Sequence, residues 1–229
     1  MRINEILQES GQGIYSIVEL EDVVNIIKTE CSDAYNGFLR GKCIYRGTSQ
    51  HGLSVRVNPQ NGLRISANGM INYYTVAMSQ SAEFKNFPPR NKSLICSTSM
   101  EIANNFGQEY WVFPVNGTKI GIVNRPDIWD VPKLKLKTID LAGYFKEVCL
   151  PTINEQLDYE RSKNLGDKYA KYLKWLTPKN LEMEVLDTKL FFTETMYNYY
   201  TEVWFSNTAY MIAVDSKITK SMLGVSKIR

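Results

Sequence analysis

A chain of 229 residues, 44% of them hydrophobic, has the length and apolar content to bury a sizeable core. Its 27 Lys and Arg against 24 Asp and Glu leave a net charge of +3, too weak a field to argue for a nucleic-acid partner. No apolar run reaches the roughly 20 residues of a membrane span, and MRINEILQES lacks a secretory apolar region and is too acidic for a transit peptide, so a cytoplasmic protein with no membrane partner is expected.

In chain order, VELEDVVNIIKTE (18–30) sets Leu20, Val23, Val24, Ile26 and Ile27 roughly on one face, which predicts an amphipathic helix within a helical N-terminal part of about 1–40. Cys43-Ile44-Tyr45 reads as a short strand entering a polar turn, and residues 58–70, dense in Asn, Gly and Pro, as loop. Residues 71–84 read as a helix carrying Tyr and Met on one side, broken by FPPR (87–90), where neither proline donates a backbone hydrogen bond. SLICSTS is a strand and corner; MEIANNFG is a short helix closed by Gly107. Thr98 followed by Glu101 has capping-box spacing, so Thr98 is the expected cap.

EYWVFPV and KIGIV are β-rich and read as a hairpin about NGT at 116–118. Residues 150–176 read as helical, with Leu165, Tyr169, Tyr172, Leu173 and Leu176 at helical spacing. EVWFS (202–206) and AYMIAV (209–214), joined by Asn207-Thr208, read as a final hairpin, and the basic C-terminal stretch as a solvated end. With no repeat, low-complexity segment or linker, the expectation is one α+β domain over residues 1–229.

Cys31, Cys43, Cys96 and Cys149 are widely separated, without a CxxC, and His51 is the only histidine; such a set does not supply the clustered ligands of a zinc site. Three other features carry chemistry if they meet in space. Tyr45-Arg46-Gly47 offers a planar guanidinium that grips phosphate oxygens in two places, beside a glycine that lets a ligand approach the backbone; a surface arginine before a turn looks the same. Ser97-Thr98-Ser99 ends a strand at a helix start, where a hydroxyl either caps the helix or directs a carboxylate. The late acids are Glu182 and Glu184 in LEMEVL, two apart and so on one side of an extended segment, and Glu202 opening the final β pair.

Arg, Ser-Thr-Ser and Glu in this order resemble the ADP-ribosyltransferases of the arginine/serine-threonine-serine/glutamate class, found among bacterial toxins and bacteriophage enzymes. YRG, RISAN, NYYT and ICSTS carry the likeness over residues 45–99, and the chain after residue 116 matches loosely. The resemblance implies a split β-sandwich with flanking helices around an NAD cleft, in host cytoplasm if phage-encoded. It implies that Arg46, with Gly47, Thr48 and Arg64, holds NAD, that Ser97 orients the glutamate, and that Thr98 and Ser99 shape the corner and cap the helix. Glu202 is favoured as the catalytic carboxylate over Glu184 and Glu182. Tyr200 stands where the family often has a first Glu, which weighs against an arginine acceptor. Tyr73, Tyr74 and Phe84 are candidate walls for the flat nicotinamide.

The implied reaction moves ADP-ribose from NAD to a macromolecular acceptor, protein before nucleic acid, and needs no metal. The oxocarbenium-like sugar wants a carboxylate beneath it. Two alternatives stay open: an NAD glycohydrolase with water as acceptor, and a non-catalytic interaction module built on YRGTSQHGL. A nucleic-acid binder is weaker, because the aromatics, though 12% of the chain, are not interleaved with a basic stripe.

Overall fold

Apolar runs that do not alternate with polar residues form the strands at the centre of the molecule. In LICS, EVWF and AYMIA every residue is buried, as expected for strands covered on both faces. The computed structural model describes residues 14–49, 52–62, 78, 81–128, 177–194, 200–214, 221 and 223–224. It is an α+β structure built on one antiparallel sheet of nine strands. These are β1 (Tyr15–Ile17), β2 (Tyr45–Thr48), β3 (Ser54–Val57), β4 (Leu94–Ser97), β5 (Gln108–Pro114), β6 (Lys119–Val123), β7 (Met183–Asp187), β8 (Glu202–Phe205) and β9 (Ala209–Ala213). Among the described residues the helices are α1 (Leu20–Glu30), α2 (Ser32–Leu39), α3 (Met100–Asn104) and α4 (Thr188–Glu194), with short 3-10 turns between strands.

Strand order is β1-β3-β9-β5-β2-β4-β8-β6-β7, and the junction at its middle is narrow. β2 pairs with β5 from Tyr45↔Trp111 to Thr48↔Gln108, and β4 with β8 from Leu94↔Phe205 to Ser97↔Glu202. Between β2 and β4 the register holds a single pair, Tyr45↔Ser97. The sheet is thus two halves, β1-β3-β9-β5-β2 and β4-β8-β6-β7, that meet at one point and then part.

Both expected hairpins are overturned by this arrangement. β5 pairs with β2 and β9, while β6 pairs with β7 and β8, so residues 115–118 carry the chain from one half to the other. Asn116 is used elsewhere than in a hairpin: its side chain accepts from the Asp33 N–H at 3.0 Å and donates to Ser32 Oγ at 3.0 Å, docking the corner onto the α1–α2 junction. Gly117, at φ +73°, bends there, and its N–H donates to Thr188 Oγ1 at 2.9 Å at the start of α4. Likewise β8 pairs with β4 and β6, and β9 with β3 and β5, so Asn207-Thr208 is a second crossing. The crossings touch, since the Val115 N–H donates to the Thr208 carbonyl at 3.2 Å.

Other expectations shift by a few residues. Arg46, Gly47 and Thr48 lie in strand rather than turn, because their ladder to Tyr110, Glu109 and Gln108 outweighs local turn propensity. α1 buries Val23, Val24 and Ile27, with Glu21 and Asp22 in its first turn and Lys28 in its last, as its dipole prefers. On α2, Phe38 sets its ring edge-on to Trp111 and Phe113, at 5.2 and 5.4 Å between centroids. Burying each such ring contributes about 1.5–3 kcal/mol. The C-terminal stretch is not solvated at Leu223, which is fully buried and whose carbonyl accepts from the Tyr35 hydroxyl at 3.0 Å. No helix among the described residues is long and apolar enough to cross a membrane. The helices expected over 71–84 and 150–176 fall largely or wholly outside the described residues.

Candidate functional site

Three consecutive hydroxyls at the end of β4 do three different things. Ser97 Oγ accepts from the Ser99 N–H at 3.0 Å, turning the chain off the strand. Thr98 faces β8: its N–H donates to the Thr201 carbonyl at 2.9 Å, and its Oγ1 accepts from the Thr201 N–H at 3.0 Å. Ser99 caps α3, its Oγ accepting from the Ile102 N–H at 3.5 Å. The expected cap at Thr98 is therefore corrected to Ser99, because the Thr98 hydroxyl is spent on the neighbouring strand.

Arg46 follows the one residue of β2 that pairs with β4. Its side chain is 7% exposed and reaches across the widening seam, where Nη1 donates to the Ile95 carbonyl at 2.5 Å. The guanidinium thereby satisfies a β4 carbonyl beyond the point where β2 departs. Thr48 ends the strand, buried. At Gly47 a Cβ would stand 1.8 Å from the Ala103 carbonyl oxygen, so the close approach of α3 to β2 requires a glycine there.

Glu202 is the register partner of Ser97 on one side and of Val123 on the other. Directly paired residues project from the same face of a sheet, so Tyr45, Ser97 and Glu202 share a face at the seam. Backbone bonds to both neighbours hold the strand there; the Glu202 N–H donates to the Arg125 carbonyl at 2.8 Å. The carboxylate itself is 6% exposed. Its Oε1 lies 2.6 Å from Arg90 Nη1, and its Oε2 accepts from the Ile128 N–H at 3.4 Å. Ser97 Oγ bonds the Ser99 N–H, and the contacts of the carboxylate are with Arg90 and the Ile128 N–H.

Arg90 was legible in the sequence only as the residue after a helix-breaking Pro-Pro. It is 2% exposed, and its Cζ lies 5.0 Å from the centre of the Trp204 ring. Trp204, two residues after Glu202 on the same face, is a platform: its indole N–H donates to the Pro88 carbonyl at 3.1 Å, and Phe87 stacks on it at 6.4 Å. Opposite it Gly121 has no side chain, and a Cβ there would meet the indole at 2.3 Å. Phe84 stands against Phe87 at 6.0 Å and, with Lys85, Phe87, Pro88 and Arg90, lines a hollow of about 230 Å³. The signal that could have found Arg90 is one arginine between two prolines and a buried strand.

The other acids lie elsewhere. Glu182 is exposed, at φ +55° in the turn before β7, and its Oε2 takes Arg125 Nη2 at 2.7 Å; it does not share one side of an extended segment with Glu184. Glu184 is exposed on the edge strand β7, opposite Ile122, which in turn opposes Val203. By strand alternation it projects from the face opposite to Glu202. Arg64, Tyr73, Tyr74, His51 and Cys149 lie outside the described residues.

Burial, with the negative Glu30 beside it, pushes the Cys31 thiol up to about 12, and burial pushes Cys43 up to about 11 despite a hydrogen bond from Tyr45. Burial thus disfavours the thiolate of both. Among the described residues no three His, Cys, Asp or Glu side chains converge as a metal site. Comparison with protein-family models, curated proteins and solved structures finds no match.

Proposed function

We propose that the chain is an NAD-dependent ADP-ribosyltransferase whose site lies at the seam between the two halves of the sheet. The observation that carries this reading is the direct register of Ser97 with Glu202 at the seam, far apart in sequence, with Arg46 one residue past the single Tyr45↔Ser97 pair that joins β2 to β4. On this reading the parting of β2 from β4 admits the dinucleotide, with Arg46 on the β2 side and Glu202 on the β8 side. NAD has a matching pair of ends, an anionic diphosphate and a sugar that becomes cationic in the transition state.

In the reaction, the bond from the ribose C1′ to the nicotinamide nitrogen breaks and its electron pair leaves with nicotinamide, which departs neutral. A nucleophile of the acceptor forms the new bond to C1′ and gives up its proton to solvent. Nothing is oxidised or reduced. Arg46 grips the diphosphate, Glu202 stabilises the cationic sugar and bonds a ribose hydroxyl, and the Ser97–Ser99 corner fixes the strand end between them. The acceptor is a macromolecule, a protein before a nucleic acid.

Incubation with NAD labelled in its ADP-ribose, with and without added protein and nucleic acid, tests the reading. Label on macromolecule supports it, label only in free ADP-ribose makes the enzyme a glycohydrolase, and intact NAD refutes both. Glu202→Gln should lower turnover by about 10²–10³-fold, while Glu184→Gln leaves it unchanged. One observation favours a second reading without catalysis: Glu202 is almost wholly buried on Arg90, as a purely structural ion pair would be. In that case NAD would not raise the melting temperature.

A further inference from the structure

The two oxygens of Glu202 are held unequally. Arg90 Nη1 lies 2.6 Å from Oε1 as a close charge pair without hydrogen-bond alignment, while Oε2 accepts a long bond from the Ile128 N–H at 3.4 Å. The cation at Oε1 is itself fixed on several sides. Its face lies over Trp204, and the preceding Pro88 carbonyl takes the Trp204 indole N–H. The Pro89 carbonyl accepts from Ser93 Oγ at 2.8 Å and from the Lys92 N–H at 2.9 Å. Two prolines with fixed φ precede it, so the backbone that aims the guanidinium has little freedom.

We infer that Arg90 is a positioning residue for Glu202, clamping Oε1 so that Oε2 is the oxygen presented to the ribose; the inference rests on the ADP-ribosyl-transfer reading above. Replacing a buried ion pair by well-packed apolar groups is often neutral or stabilising, so stability alone is a weak reason for this pair. A carboxylate that must stand beneath one carbon of a sugar gains more from a fixed direction, since an error of about 1 Å costs on the order of 100-fold in rate. Trp204 serves both sides of the arrangement: it shares β8 with Glu202 and carries the segment that delivers Arg90.

The test is steady-state NAD cleavage by Arg90→Lys, which keeps the charge but not the planar group that lies over Trp204. Positioning predicts kcat lower by about 100-fold with KM for NAD unchanged, per folded molecule as judged by the melting transition. In a Glu202→Gln background the same change should cause no further loss, because Arg90 acts only through that carboxylate. Should Arg90→Lys not fold, Trp204→Phe keeps a ring under the cation but removes the indole N–H, and is expected to lower kcat about tenfold, one pair-anchoring hydrogen bond's worth, with KM unchanged. Unchanged kcat in a folded variant overturns the inference, as does a raised KM with kcat intact, which would make Arg90 an NAD-binding group. A wild-type chain that leaves NAD intact overturns the transfer reading itself, a result separable from failure of Arg90 alone.

Discussion

Arg46 and Arg90 are both buried arginines beside the seam, yet one donates to a backbone carbonyl and the other grips a carboxylate. The first bridges the gap where β2 leaves β4, one of its nitrogens bonded to the Ile95 carbonyl. The second pairs with Glu202, the acid that among the described residues stands in register with Ser97. Burial and residue type are the same, so the difference lies in what the surrounding backbone presents to each guanidinium. A motif search finds Arg46 from its neighbours in sequence and passes over Arg90, whose partner is distant in the chain.

The sharpest break of this comparison is Glu202→Gln. Besides its effect on turnover it strands the Arg90 guanidinium in a buried position, with an expected cost of about 3–5 kcal/mol, read as a lowered denaturant midpoint. Adding Arg90→Met should recover much of that stability and none of the activity. Next in size, Gly47→Ala drives a methyl into the Ala103 carbonyl and should cost about 1–3 kcal/mol; unchanged stability would mean that α3 does not pack on β2 as described.

Arg46→Lys keeps one donor for Ile95 but loses the fork. The expected result is NAD binding weaker by about tenfold, or about 1.4 kcal/mol, with kcat little changed, the reverse of the split expected for Arg90→Lys. Calorimetric affinities equal to wild type would remove Arg46 from the diphosphate. Smallest of all, Ser99→Ala should cost about 1 kcal/mol as the loss of a helix cap. Helix destabilisation from Thr98→Ala but not from Ser99→Ala would return the cap to Thr98.

Much of the local structure was legible before any fold was known. The spacing of Val23, Val24 and Ile27 marked α1, and SLICSTS and EVWFS marked strands, which the fold then buries on both sides. The two hairpins were misread for a common reason. A Gly or Asn between two apolar runs reports that the chain turns, and turn chemistry is local. It does not report which strand the next run will meet. Asn116 found its partners on α1 and α2, and β9 found β3 and β5, through contacts that no short window contains.

The amino-acid sequence by itself determined where strands and helices form, which residues are too apolar to leave in water, and that Arg46, Ser97 and an acid late in the chain were worth placing together. Tertiary structure alone decided which acid stands in register with Ser97, that α3 packs closely on Gly47, and that Arg90 pairs with the carboxylate. The physical reason is range. Propensity, capping and burial act within a turn or a strand, whereas register across a sheet is set by partners that only folding brings within hydrogen-bond distance.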